Sequence, residues 1–296
     1  MNLKKYNWFK IDAICHSYYE INNVKELEEI VIKAQQMNLK IFILGDGSNV
    51  LLNENLNNYI VIKLINKDIF YIEYKDHYMM SVDAGYQIDE LVKFGIKLNI
   101  PQIVNFSGIP GTIGGATVMN IHYKNFFLSD FIDQITVFDT IKKEILTFNS
   151  DEIKFTYKHN FLKEKPNYIV ISIFLKFKKE NNVENLNITR KKILEARNKR
   201  YPSNNTCGCF FYNLDNLNGK QKSTGYQIEK ANIESQYKFT NVFLHSTHKN
   251  MFVTNNKCSS SEIISLANFI KKTIKKELGY TLIPECRFIG FKDEEN

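Results

Sequence analysis

The sequence predicts a mixed α/β protein in two parts, a strand-rich unit over residues 1–180 and a second α/β unit over 188–296. Three observations predict it. Apolar runs of strand length recur in the first part, at VIKL (61–64), YMMSVDAG (78–85), QITVFDT (134–140) and NYIVISIFLKF (167–177). Stretches with helical spacing lie between and after them. The polar segment ENNVENLN (180–187) breaks the pattern and reads as a linker.

The elements follow in order. Asn23 and Glu26 are spaced as a capping box, and Leu27, Ile30, Val31 and Ala34 then keep helical spacing. KIFILGDGSNVLLNE (40–54) reads as a strand, a glycine turn and a second apolar run. Residues 87–98 read as a helix, and another helix follows the linker through Arg197. Near the end, Ser259 and Glu262 form a second capping box. Ile263, Leu266, Ala267 and Ile270 supply an apolar face, and Gly279 stops the helix.

Bulk properties exclude several classes. A 296-residue chain with 44% hydrophobic and 24% charged residues can bury a core, so disorder is not expected. The net charge of +7 comes from scattered lysines, and the densest run, TRKKILEARNKR (189–200), reads as a solvated helix face. No nucleic-acid signature accompanies it, and no nucleic-acid partner is expected. No window approaches the ~18 apolar residues of a membrane span, and no signal peptide is evident. The 5 cysteines are odd in number and irregularly spaced, which suits a reducing cytoplasm. Cys207 and Cys209 are too close for a zinc pair, and no metal site is expected.

Two glycine stretches stand out in a chain with only 13 Gly and 5 Pro. Gly45-Asp-Gly47-Ser48-Asn49 follows a strand directly. It reads equally as a structural hairpin turn or as a nest of backbone N–H groups for an anion. It is neither a Walker A loop nor a Rossmann fingerprint. The second stretch, Ser107-Gly108-Ile-Pro110-Gly111-Thr112-Ile-Gly114-Gly115, has too many backbone-special residues for one turn. Two nests in one unit suggest a dinucleotide gripped from two sides.

ILGDGSNVLL with SGIPGTIGGATVMN resembles the UDP-N-acetylenolpyruvoylglucosamine reductase family, of its shorter type. Further motifs follow in family order: FTYKHNF (155–161), CGCFFYN (207–213), STGYQIEKA (223–231), HKNMFV (248–253) and LIPECRFIG (282–290). The resemblance implies an α+β fold. Residues 1–180 would be a two-lobed FAD-binding domain of the vanillyl-alcohol oxidase-like type, with lobes of about 1–65 and 66–180, and 188–296 would bind substrate. It also implies a cytoplasmic monomer that uses FAD and NADPH to reduce a UDP-sugar enolpyruvyl ether in peptidoglycan synthesis. Both glycine stretches would hold FAD.

The implied reaction builds negative charge beside a carboxylate, so it needs aimed cations or donors and one acid. Cys209 matches the position of that acid; taken alone it reads as a buried structural thiol. Glu285 would stabilise the enol, or else form a structural pair with Arg287. Lys158 stands where the family has Arg and would neutralise the carboxylate as a point charge rather than a fork. Tyr157 would form a hydrogen-bonding wall, or be a strand-end aromatic. Asn213 would contact the diphosphate or sugar, or be a turn residue.

The pattern also breaks. Tyr212 and Tyr226 stand where the family has lysines, and His122-Tyr-Lys124 replaces its Ala-Tyr-Gly. Lys238, His248 and Lys249 are candidates to restore the lost charge. A flavin-binding relative with a decayed substrate site is the second reading. A flavin-tethering oxidase is the third, although residues 105–115 offer no His or Cys for a tether.

Overall fold

The computed structural model describes residues 1–181, 184–214 and 223–292, so Asn182 and Val183 of the expected linker lie outside the described residues. The chain forms two compact units. One comprises Ser17–Gly45 and Tyr59–Arg197 and is called the larger unit below. The other, the terminal unit, comprises Met1–His16, Asp46–Asn58 and Asn198–Asn296. The division expected at 180–187 follows chain order, and these units do not. Backbone pairing is the reason. Val50–Leu52 runs parallel to Arg287–Ile289, which draws residues 46–58 to the C-terminal part. The N-terminal segment is tied in by Thr254 Oγ1, which donates to the Phe9 carbonyl at 2.7 Å.

In the larger unit a five-stranded antiparallel sheet runs in the order Glu144–Asn149, Ile132–Asp139, Tyr168–Lys178, His77–Asp83, Ile69–Glu73. Its core side chains recur at every second position: Met80 and Val82, Ile135 and Val137, Ile173 and Leu175 are all buried. That is the pleat periodicity of a sheet with one covered face. The strands Ile14–Ile21, Asn55–Leu64 and Lys40–Ile43 form a second sheet.

The helix Val24–Gln36 buries Leu27, Val31 and Ala34. Its cap differs in one detail from the expected box. Asn23 Oδ1 accepts from the Glu26 N–H at 3.0 Å, but the Glu26 carboxylate returns to the N–H of Asn22 at 2.9 Å. The expected helix at 87–98 is Ile88–Lys97, and the one after the linker is Leu186–Arg200.

The terminal unit has its own core around Phe9, Phe210, Phe211, Phe252, Leu266 and Ile270. Phe210 stacks on Phe252 at 4.2 Å between ring centroids. The hairpin strands Val242–His245 and His248–Thr254 and the helix Ser260–Leu278 frame this core. That helix starts at the full Ser259–Glu262 capping box and stops at Gly279, whose φ of 76° needs no Cβ.

Candidate active site

Within the larger unit, Gly45 meets the second glycine stretch at Thr112. A Cβ on Gly45 would stand 2.9 Å from Thr112 Oγ1, so close an approach requires glycine. Thr112 is buried and caps the helix Ile113–Met119 by accepting from the Gly115 N–H. The loop is anchored on both flanks: Ile88 N–H bonds the Gly111 carbonyl at 3.0 Å, and Gly114 N–H bonds the Ala84 carbonyl at 2.8 Å. Gly108 and Gly111 have φ of 71° and 134°. Among the described residues neither of their backbone N–H groups makes a hydrogen bond. Beyond Thr112, a Cβ on the exposed Gly115 would meet no heavy atom within 4 Å. Unpaired backbone donors beside open, side-chain-free backbone fit a dinucleotide diphosphate, so this donor set fits FAD.

Residues 45–49 are not a hairpin. Lys40–Ile43 pairs in parallel with residues 59–62, and Val50–Leu52 pairs with Arg287–Ile289, so the flanking strands have different partners. Gly47 answers to its own unit: its φ is 67°, and a Cβ would lie 2.2 Å from the Tyr6 carbonyl oxygen.

Tyr157 and Lys158 occupy the tip of a tight turn closed by Thr156 and His159, whose N–H groups bond each other's carbonyls at 2.9 and 3.3 Å. Tyr157 is therefore a turn residue, not a strand end. Lys158 has a φ of 52°, a conformation that disfavours a Cβ-bearing residue. Two asparagines hold the turn in place. Asn120 Nδ2 donates to the Thr156 carbonyl at 3.0 Å. Asn160, fully buried, donates to the carbonyls of Thr117 and Val118 and accepts from the Leu162 N–H. Tyr157 packs edge-on to His122 at 5.1 Å. Lys158 Nζ lies 5.7 Å from the Tyr157 ring centroid. Burial, and then the Lys158 charge, push the His122 imidazole down to a pKa of about 4.

In the terminal unit, Cys209 and Glu285 flank one buried residue. Phe210 N–H donates to the Asn250 carbonyl at 2.8 Å, and the Phe210 carbonyl accepts from the Glu285 N–H at 2.8 Å. Neighbouring bridges, Cys209 with Met251 and Phe211 with Pro284, extend this ladder. Asn250 is buried and secures Phe211 through both its N–H (3.0 Å) and its carbonyl (2.7 Å). Cys209 is half-buried, unlike Cys207 and Cys286, which are buried, so the structural-thiol reading fits those two and not Cys209. Burial, first, and then Cys286 push the Cys207 thiol well above its ordinary pKa.

Asn49 links the glycine stretch to this ladder. Its Nδ2 donates to the Glu285 carbonyl at 3.4 Å, and its own carbonyl accepts from the Arg287 N–H at 3.1 Å. Asn213 is exposed, and its Oδ1 accepts from the Thr224 N–H at 3.2 Å. Of the expected charge substitutes, Lys249 is paired with Glu234 at 2.7 Å. His248 is held below its ordinary pKa by burial and then by Arg200. Asn120, Asn160 and Asn250 escaped the sequence reading although each lies within a recognised motif. Nothing in sequence separates a buried asparagine from a surface one.

Comparisons with known proteins show what the chain is similar to. Residues 17–146 match the FAD binding domain family, and residues 200–289 match the C-terminal domain of UDP-N-acetylenolpyruvoylglucosamine reductase. A reductase of that name from Buchnera aphidicola subsp. Baizongia pistaciae (strain Bp) is 28% identical, with 98% of each chain aligned. Another, from Prochlorococcus marinus subsp. pastoris, is 27% identical over 98% of this chain and 96% of its own length. The crystal structure of the Thermus caldophilus enzyme superposes on 97% of this chain with a TM-score of 0.77 at 21% identity. The fold is the α+β fold of that solved structure, and an FAD binding domain is the family matched over residues 17–146. Over nearly its whole length the chain is a relative of the UDP-N-acetylenolpyruvoylglucosamine reductases, the family its motifs resemble.

Proposed function

We infer that the protein reduces UDP-N-acetylglucosamine enolpyruvate to UDP-N-acetylmuramate with NADPH, as an FAD-dependent enzyme of peptidoglycan precursor synthesis. The observation that carries this reading is the placement of Cys209 and Glu285 on either side of Phe210, within the region matching the reductase C-terminal domain. Bound FAD supplies the hydride chemistry that links NADPH to the substrate's vinyl group. Gly45, Gly47, Ser48, Asn49, Ser107, Gly108, Pro110, Gly111, Thr112, Gly114 and Gly115 would hold it, and the functional division is 1–180 for FAD and 188–296 for substrate.

The chain's own groups do the rest. Cys209 delivers the final proton to the carbon beside the substrate carboxylate, a task for a thiol that ordinarily stays protonated at neutral pH. Glu285 hydrogen-bonds the enol form. Lys158 neutralises the carboxylate, Tyr157 walls the site, and Asn213 contacts the sugar or diphosphate. Among the described residues no helix is long and apolar enough to cross a membrane, and no cluster of His, Cys, Asp and Glu could hold a metal. We assign the protein to the cytoplasm as a monomer active in cell-wall biogenesis, and hence in cell shape and division.

The test is an anaerobic pair of half-reactions. NADPH should reduce the bound flavin, and the enolpyruvyl UDP-sugar should reoxidise it. In Cys209→Ala the second step should slow by ~10²–10⁴-fold while the first is unchanged, the range of one positioned acid. Flavin that reduces in the wild type and never reoxidises with this substrate sinks the reading.

A further inference from the structure

The reductase reading gives His122 no task, yet the larger unit builds a seat for it. The ring lies on the short strand His122–Tyr123, just after Asn120, the αL residue that ends the helix Ile113–Met119. It stacks on Phe127 at 5.0 Å and 19°, and Tyr157 meets it edge-on at 5.1 Å and 62°. These contacts set the ring plane without any hydrogen bond. Nδ1 is buried with no partner among the described residues, and Nε2 is not sealed in this way. A proton on Nδ1 would be an orphaned buried donor, which is rarer than an unpaired acceptor, so the tautomer with its proton on Nε2 is the one that fits this seat. The ring is neutral because burial and the nearby Lys158 charge disfavour the imidazolium.

Lys158 is the other half of the argument. It stands where the resemblance puts an arginine, and it has lost the planar fork that grips a carboxylate with two directed bonds. His122 stands where the resemblance puts an alanine. The chain has a donor too few at one position and an added one beside it.

We propose that His122 is a substrate-orienting residue whose Nε2–H donates to a carboxylate oxygen of the substrate that Lys158 attracts, restoring the second directed bond. This inference rests on the reductase reading. The bound carboxylate would offset the Lys158 charge at the ring, so the donor and the cation act on one anion without opposing each other.

The test is a titration of oxidised holoenzyme with UDP-N-acetylglucosamine enolpyruvate, without NADPH, followed by the perturbation of the flavin spectrum. Flavin content and the rate of reduction by NADPH are measured on the same samples. His122→Ala should weaken binding by ~10-fold, the low end for a charge-assisted bond, with NADPH reduction unchanged. His122→Gln puts an amide nitrogen near the place of Nε2 and should recover most of the affinity. His122→Asn reaches the place of Nδ1 and should not. Equal affinity in wild type and His122→Ala overturns the proposal, as does equal rescue by Asn and Gln. A wild type that NADPH reduces but that neither binds nor is reoxidised by this substrate overturns the reductase reading, and this proposal with it.

Discussion

Lys158 and Tyr157 sit on a turn that side chains hold, whereas Cys209 and Glu285 sit on a ladder that backbone holds. The turn depends on the amides of Asn120 and Asn160 and keeps Lys158 at a positive φ. The ladder runs N–H to carbonyl through Phe210, whose ring is fully buried against Phe252. A backbone ladder survives many side-chain changes, because every residue except proline carries its own donor and acceptor. A side-chain clamp fails with one substitution. The proposed acid and the proposed enol-stabilising carboxylate therefore rest on the robust frame, and the proposed carboxylate-binding cation rests on the adjustable one. Drift from the family motifs has touched both: Lys158 replaces Arg on the turn, and Tyr212 replaces Lys next to Phe211.

The comparison can be broken at its strongest point first. Asn250 is the side chain that clamps the ladder, since it pairs both backbone groups of the buried Phe211. Asn250→Leu should cost roughly 2–5 kcal/mol, as two buried groups are left unpaired. A denaturant midpoint close to that of wild type would show that the ladder does not need this clamp. Asn160→Leu removes three bonds from the turn side. It should cost roughly 2–3 kcal/mol and weaken substrate binding, while NADPH still reduces the flavin at the wild-type rate. If substrate affinity is untouched, the turn is not held through Asn160.

Lys158→Gly separates strain from function. It removes a Cβ from αL backbone, so stability should rise by up to ~1 kcal/mol while substrate affinity falls. A loss of stability would mean that the Lys158 side chain holds the turn itself.

A further test is a pH dependence. The folded pKa of His122 lies near 4, below its ordinary 6.5, so the folded state disfavours its protonation. This contribution is fully present above 6.5 and is lost as pH falls toward 4. His122→Phe keeps an aromatic ring on Phe127 and cannot titrate. The stability of wild type relative to this variant should therefore decline through that window, and parallel curves would rule the effect out.

Local features were legible in the sequence. The Ser259–Glu262 box, the αL stop at Gly279 and the Asn23 cap all join residues within a few positions of one another, so spacing alone predicts them. The glycine stretches were legible as backbone that must bend. The candidate site residues were legible through their motifs. The three buried asparagines were not, because burial is set by what packs over a residue.

By itself the sequence did not determine the strands Ile14–Ile21 or Ile69–Glu73, but it determined the helices Val24–Gln36, Ile88–Lys97, Leu186–Arg200 and Ser260–Leu278, the strands His77–Asp83, Ile132–Asp139 and Tyr168–Lys178, and which motifs carry candidate chemistry. These follow from periodicity and capping, whose reach is one turn of helix or one pleat. Tertiary structure alone decided that Asn49 meets Glu285, that Gly47 must clear Tyr6, and that both chain ends share one unit with residues 46–58. These are contacts between segments far apart in the chain. Any segment could offer the same donors and acceptors, so only the packed cores select which ones meet.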